Sequence, residues 1–366
     1  MRKGAKPCTI GTQGTRRLPA LRKERDLSKT PFFALFAAAA LAIPCAALAG
    51  EPAAAEQYLQ AAIGRAQAYR EKAALFDGAG YFPSEMAGAI EMHESAGAEL
   101  GTSGDAAAAA AAFGAAADAF AAIFRLSASL YAQAREDEIM MARDRVTAGG
   151  GRAIFPALAA PADRRALEAL AKYEAGDYIG AREAAAQAYA KFQFLEAALG
   201  AWLIRREIVL RGFAEHSRDN YDLAEKLLAG AAQAYLAQDL ALALEDATEA
   251  HARFSLALSA GWAAAAEHHA ALAQEERLSA VEARAHIASG DLFGEADSAY
   301  RAALDLLRRE YFAEAATQFA DAEALYFAAK ISTFERRRIA AAAISEAKRR
   351  IDESIEAARR AARSAN

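Results

Sequence analysis

No proline interrupts the chain from Ala162 to its last residue, Asn366. Proline removes a backbone donor and clashes with the preceding turn, so a stretch this long without one lets helices run on. The residues that fill it point the same way. Alanine makes up about 30% of the 366 residues, and it has the highest helix propensity and loses no side-chain entropy on burial. The chain is 55% hydrophobic and 25% charged. It is too apolar for a disordered tail, and too rich in Ala, Glu, Arg and Leu to be mostly strand. An all-α protein is predicted. An α/β enzyme, a β-sandwich, a collagen-like fibre and a disulfide scaffold are argued against.

A repeat organises the helices. Tyr173-x-x-Gly176-Asp177-Tyr178-x-x-Ala181 is followed by Ala185, Ala188 and Phe192. The pattern returns as Tyr235-x-x-x-Asp239-Leu240-x-x-Ala243, then Ala247, Ala250 and Phe254. It returns again as Leu307-x-x-Glu310-Tyr311-Phe312-x-x-Ala315, then Phe319, Ala322 and Tyr326. Steps of three, seven and ten keep one helical face, so these residues are expected to pack helix on helix. Asp177, Asp239 and Glu310 are expected to cap the helices that follow.

Each turn joins a short first helix to a long second one. The first helices are expected at 163–175, 221–237 and 293–309, capped by Asp163, Asn220 and Asp291. The second helices are expected at 178–215, 240–288 and 312–362. A weaker hairpin precedes them, with helices at 84–100 and 105–147, and a leading helix at 52–76. Residues 148–162 carry Gly149-Gly150-Gly151, Pro156 and Pro161. They are expected to form a Gly/Pro linker between an N-terminal helical region, 50–147, and a region of three hairpins, 163–366. The predicted fold is all-α: stacked antiparallel helical hairpins, as an α-solenoid or an elongated bundle.

The turn Gly176-Asp177-Tyr178-x-x-Ala181 and its echo Tyr311-Phe312-x-x-Ala315-x-x-x-Phe319-x-x-Ala322 resemble the middle of a tetratricopeptide repeat. The resemblance covers each turn and the first turns of each second helix. It implies paired helices that present surfaces to other proteins. Tyr81-Phe82-Pro83-Ser84-Glu85, the alanine-rich long helices and Glu335-Arg336-Arg337-Arg338 also resemble exported helical-repeat proteins of the spirochaete cell envelope. That likeness implies an envelope location.

The first 49 residues read as an address. Nine basic residues stand against Glu24 and Asp26, and an apolar run from Phe32 to Leu48 closes with Ala47-Leu48-Ala49. This is the pattern of a signal peptide cleaved after Ala49, which places the mature chain in the periplasm. The alternative is an uncleaved inner-membrane anchor at residues 32–48. Cys8 and Cys45 both lie in this segment, so the mature chain would have neither disulfides nor thiol chemistry. It would keep 34 basic and 46 acidic residues, a net charge of −12, which gives no case for nucleic acid.

Signatures of catalysis are missing from the sequence. Ala148-Gly149-Gly150-Gly151-Arg152 has the glycines of a phosphate loop without Gly-Lys-Ser/Thr. No Gly-x-Ser-x-Gly elbow occurs. His93-Glu94 lacks a second histidine four residues on, and the adjacent His268 and His269 diverge on a helix. No catalytic residue, cofactor or metal site is assigned, and the chain is expected not to be an enzyme.

One charge pattern remains. Arg336-Arg337-Arg338, Lys348-Arg349-Arg350 and Arg359-Arg360 recur at a spacing close to three helical turns, and so line one stripe. Nine basic and five acidic residues lie between Glu335 and Arg363. Ile344, Ile351 and Ile355 supply an apolar seam. These eight basic residues are the candidate interaction face, with another envelope protein as the expected partner and an anionic polymer or lipid headgroups as alternatives. The expected function is a periplasmic interaction scaffold. A structural spacer and a small-molecule-binding component serving a transporter are the alternatives.

Overall fold

The computed structural model describes residues 52–364. The expected leader, residues 1–49, lies outside them. The chain begins with α1 (Pro52–Leu75), the single turn α2 (Gly78–Tyr81), α3 (Pro83–Ser103) and α4 (Ala106–Ala148). The single turn α5 (Gly151–Ile154), α6 (Pro156–Glu174) and α7 (Tyr178–Arg211) follow. A 3-10 turn at Phe213–Ser217 leads to α8 (Arg218–Leu236) and α9 (Leu240–Glu282). The last elements are the single turn α10 (Ala285–Ala288), α11 (Gly290–Arg308) and α12 (Phe312–Ser364). Among the described residues there is no strand, so the all-α expectation holds.

Two kinds of connection alternate. The first is the tight turn read from the repeat. Gly104, Gly176, Gln238 and Glu310 adopt left-handed conformations with φ of 66°, 79°, 66° and 61°. Asp105, Asp177 and Asp239 follow the first three and cap α4, α7 and α9: Asp105 accepts from the Ala107 and Ala108 N–H groups, Asp177 from Gly180 at 2.9 Å and Asp239 from Leu242 at 3.1 Å. In three turns the backbone closes identically, with Asp177, Asp239 and Tyr311 donating to Lys172, Ala234 and Leu306, as in a Schellman motif. Glu310, expected as a cap, occupies the left-handed position instead, and Tyr311 stands where the aspartates stand.

The second kind is a corner. Asp77, Gly150, Gly212 and Arg284 take φ of 56°, 80°, 73° and 59°. One helical turn follows each and closes on a residue with non-helical dihedral angles: Phe82, Phe155, Ser217 or Ser289. The first helices therefore start earlier than expected. Asp163, Asn220 and Asp291 lie inside α6, α8 and α11 and do not begin them. Residues 148–162 are largely helical rather than an irregular linker. Pro156 opens α6, where its missing N–H is no loss, and Pro161 lies within that helix. The long helices also end sooner, α7 at Arg211 and α9 at Glu282, because the corners take up the rest.

The four long helices α4, α7, α9 and α12 pack in chain order. Each of α6, α8 and α11 packs on the long helix that follows it, while α1 and α3 both lie on α4. The core keeps the repeat's register through all four long helices. Ala109, Ala181, Ala243 and Ala315 are buried, as are Ala116, Ala188, Ala250 and Ala322. Phe120, Phe192, Phe254 and Tyr326 fill the next equivalent position. The hairpin ending in α4 thus belongs fully to the series. Alanine lets helix axes approach closely, and burial of each aromatic contributes about 1.5–3 kcal/mol. Gly261 marks one close approach, since a Cβ there would lie 2.3 Å from Phe213 Cγ.

Candidate interaction face

The face predicted on α12 begins inside the body. Ala315, Phe319, Ala322, Tyr326, Ala329 and Thr333 are buried against α9 and α11. They follow one another by steps of three or four, which keeps them on one side of the helix. Arg336 and Arg337 come next. Their guanidinium groups donate to the carbonyls of Ala288 and Ala283, the carbonyls freed where the chain leaves α9 and enters α11. These two arginines fasten α12 to the last corner.

Beyond them the helix leaves the body. From Phe334 to Arg360 every side chain but Glu346 is exposed. At about 1.5 Å per residue, the stretch after Arg338 projects roughly 40 Å. Ile344, Ile351 and Ile355 remain 57%, 58% and 45% exposed. With Ala340, Ala347 and Ala358 they continue, by the same steps, the side that is buried nearer the body.

The basic residues divide into groups. Arg349 pairs with Glu346 at 2.8 Å and with Glu353 at 2.7 Å, and Arg350 pairs with Glu346 at 2.9 Å. The hydrogen bonds from Arg349 and then Arg350 hold the Glu346 carboxyl below its ordinary range. Arg360 leans toward the Glu356 carbonyl at 3.5 Å. Among the described residues, Arg338, Lys348 and Arg359 have no carboxylate partner. Arg337, Lys348 and Arg359 succeed one another at a spacing close to three helical turns and border the isoleucine seam along one flank. Lys348 and Arg359 are therefore the free charges beside an unoccupied apolar strip.

A second recurrent feature was missed from sequence. Arg143 bonds Asp163 at 3.1 Å, Arg205 bonds Glu225, and Arg277 bonds Asp297 at 2.9 Å. Each pair is 20 residues apart, and each arginine stands seven residues before the left-handed residue of its corner. The pairs clamp α4 to α6, α7 to α8 and α9 to α11. Tyr326 adds its hydroxyl to Asp297, which ties α12 into the last clamp. Burial acts to raise the Asp297 carboxyl, but Arg277 and Tyr326 together outweigh it and hold it below its ordinary value. Aligning the sequence on corners rather than turns would have exposed this spacing.

Among the described residues no three His, Cys, Asp or Glu side chains are placed to hold a metal ion. Among them α4 alone is long and apolar enough to cross a membrane, and half of its most apolar window is buried in the body. No protein family, curated protein or solved structure matches this chain.

Proposed function

We propose that this chain is an exported, tetratricopeptide-like scaffold whose projecting α12 docks one acidic amphipathic helix of another envelope protein. The reading rests on a single observation: the buried side of α12 continues, still apolar, well past the body, with Lys348 and Arg359 unpaired along its edge. A seam of isoleucine spaced by alanine suits the knobs and holes of one facing helix. It offers little to a bilayer, because no aromatic residue follows Phe334 and a lipid-bound helix draws on larger side chains. Self-pairing is disfavoured in the antiparallel sense, where the two basic flanks would face each other. Acidic residues on the partner's flank complement Lys348 and Arg359.

Crosslinking of the tagged chain in its native envelope tests this. One protein carrying an acidic amphipathic helix is expected. The double variant Lys348→Glu, Arg359→Glu should lose it with helicity unchanged. Arg349→Gln, Arg350→Gln should keep it, because those arginines are already held by Glu346 and Glu353. Retention of the partner by the first variant, or recovery of peptidoglycan fragments alone, overturns the proposal.

A further inference from the structure

A cleft of about 530 Å³ opens between α4, α6 and α7, on the opposite side of the stack's order from α12 and with no residue in common with it. Its size lies in the range of small-molecule sites, roughly 300–1,000 Å³. The walls are mostly apolar: Phe76, Ile139 and Met140 on one side, Leu167, Leu170 and Ala185 on the other. Leu167 and Leu170 remain 66% and 48% exposed, a large apolar display beside a cavity.

Specific contacts mark both ends of the cleft. At one end Arg143 and Arg152 converge on Asp163. At the other, Tyr173 and Tyr178 meet edge to face at 5.4 Å, and the Tyr173 hydroxyl lies 3.1 Å from Ser129 Oγ. Between the ends lie two further guanidinium groups. Arg135, on α4, bonds Glu138 and reaches the Tyr131 hydroxyl at 3.4 Å, yet its Nε is buried without a partner. Arg182, on α7, sits over the Tyr131 ring at 5.8 Å. Its Nε is also buried without a partner, and among the described residues it has no carboxylate. Both Nε atoms are closed off from the cleft, so the group open to an acceptor is the rest of the Arg182 guanidinium, which has no ion pair among the described residues.

The charge in the cleft fits an anion. Four arginines line it against Asp163 and Glu136, and Asp163 is already shared by two of the four. This positive balance stands in a chain that is acidic overall. We propose that the cleft binds an amphipathic anion, a long-chain carboxylate whose acyl chain lies against Leu167, Leu170, Ile139 and Phe76 and whose headgroup meets Arg182. The guanidinium presents a planar fork that matches a carboxylate.

Calorimetric titration of the full chain, with dodecanoate, dodecyl phosphate and dodecanol each kept below micelle-forming concentration, tests the assignment. One dodecanoate per chain is expected. Arg182→Gln should weaken it about tenfold or more, since a charge-assisted bond is lost, and should leave dodecanol unchanged. Ala132→Phe, which fills the cleft, should abolish binding of all three while circular dichroism shows the helices intact. Tighter binding of dodecyl phosphate than of dodecanoate would overturn the carboxylate headgroup. Equal affinity for dodecanol and dodecanoate, or binding that survives Ala132→Phe, would overturn the site. None of these variants touches α12, so the outcome is independent of partner docking.

Discussion

At the scale of single residues, the corner clamps are the most exacting contacts in the molecule. Asp297 accepts from Arg277 and Tyr326 and is largely shielded from water. Asp297→Asn keeps the shape but removes the charge, and should destabilise the fold by about 1–3 kcal/mol in urea unfolding. Asp305→Asn, in the exposed pair with Arg308, should change it by no more than about 0.5 kcal/mol. The sign with pH follows from the depressed carboxyl. The contribution is complete above the unfolded value of 3.8 and is lost as pH falls below it, because the unfolded chain takes up the proton first. Lys191 behaves differently. It is 3% exposed, with one hydrogen bond, to Gln238 at 3.0 Å, and its ammonium lies over the Tyr235 ring. Burial, helped by Arg165, lowers its pKa. Lys191→Met replaces a desolvated charge with an apolar chain of similar length. It should leave stability unchanged or raise it by about 1 kcal/mol, and a loss of more than that would show the ammonium to be structurally required.

At the scale of elements, what could be read in advance depended on whether the signal was local. The starts of α7 and α9 were legible because an aspartate cap and the first alanine of the repeat, four residues on, lie within about one turn of sequence. The starts of α6, α8 and α11 were not. Asp163, Asn220 and Asp291 looked like caps, but they serve as partners for other side chains or as ordinary first-turn residues. The residues that do precede these helices, Phe155, Ser217 and Ser289, make no capping bond with their side chains. Left-handed Asp77, Gln238, Arg284 and Glu310 carry no glycine to announce them. The same division holds on α12. Its length and basic spacing were legible, whereas the use of Arg336 and Arg337 as clasps depends on a corner about 50 residues earlier. A chain ended after Arg338 keeps every buried contact of α12. Its unfolding midpoint should therefore match the full chain within about 0.5 kcal/mol, while the longest dimension in small-angle scattering falls by as much as roughly 40 Å. A clear drop in the midpoint would mean that the tail folds back and supports the body.

At the scale of the whole molecule, stability is spread over long helices that each bury their own tyrosine or phenylalanine, and this makes the fold sensitive to alkali. Tyr235 joins α8 to α6 through its hydroxyl, which donates to the Leu158 carbonyl at 2.7 Å, and burial pushes its phenol up to about 12. Burial and the hydrogen bond to Asp297 raise the Tyr326 phenol on α12. Burial and Glu225 raise Tyr221 between them. Each native phenol holds its proton longer than the unfolded chain does. Stability is therefore intact below pH 10, the ordinary phenol value, and declines as pH rises toward 12. Lys191 acts with the opposite sign, since its lowered pKa adds stability as pH climbs toward 10.5; one lysine blunts the onset of the decline, and the three phenols together outweigh it. The melting temperature should fall steeply between about pH 10.5 and 12. The double variant Tyr235→Phe, Tyr326→Phe should start less stable by about 1–3 kcal/mol, having lost two buried hydrogen bonds, but should melt with a flatter dependence on alkali. If the native chain keeps its melting temperature to pH 12, those phenols ionise as readily folded as unfolded, and the closely packed alanine–aromatic core does not shield them.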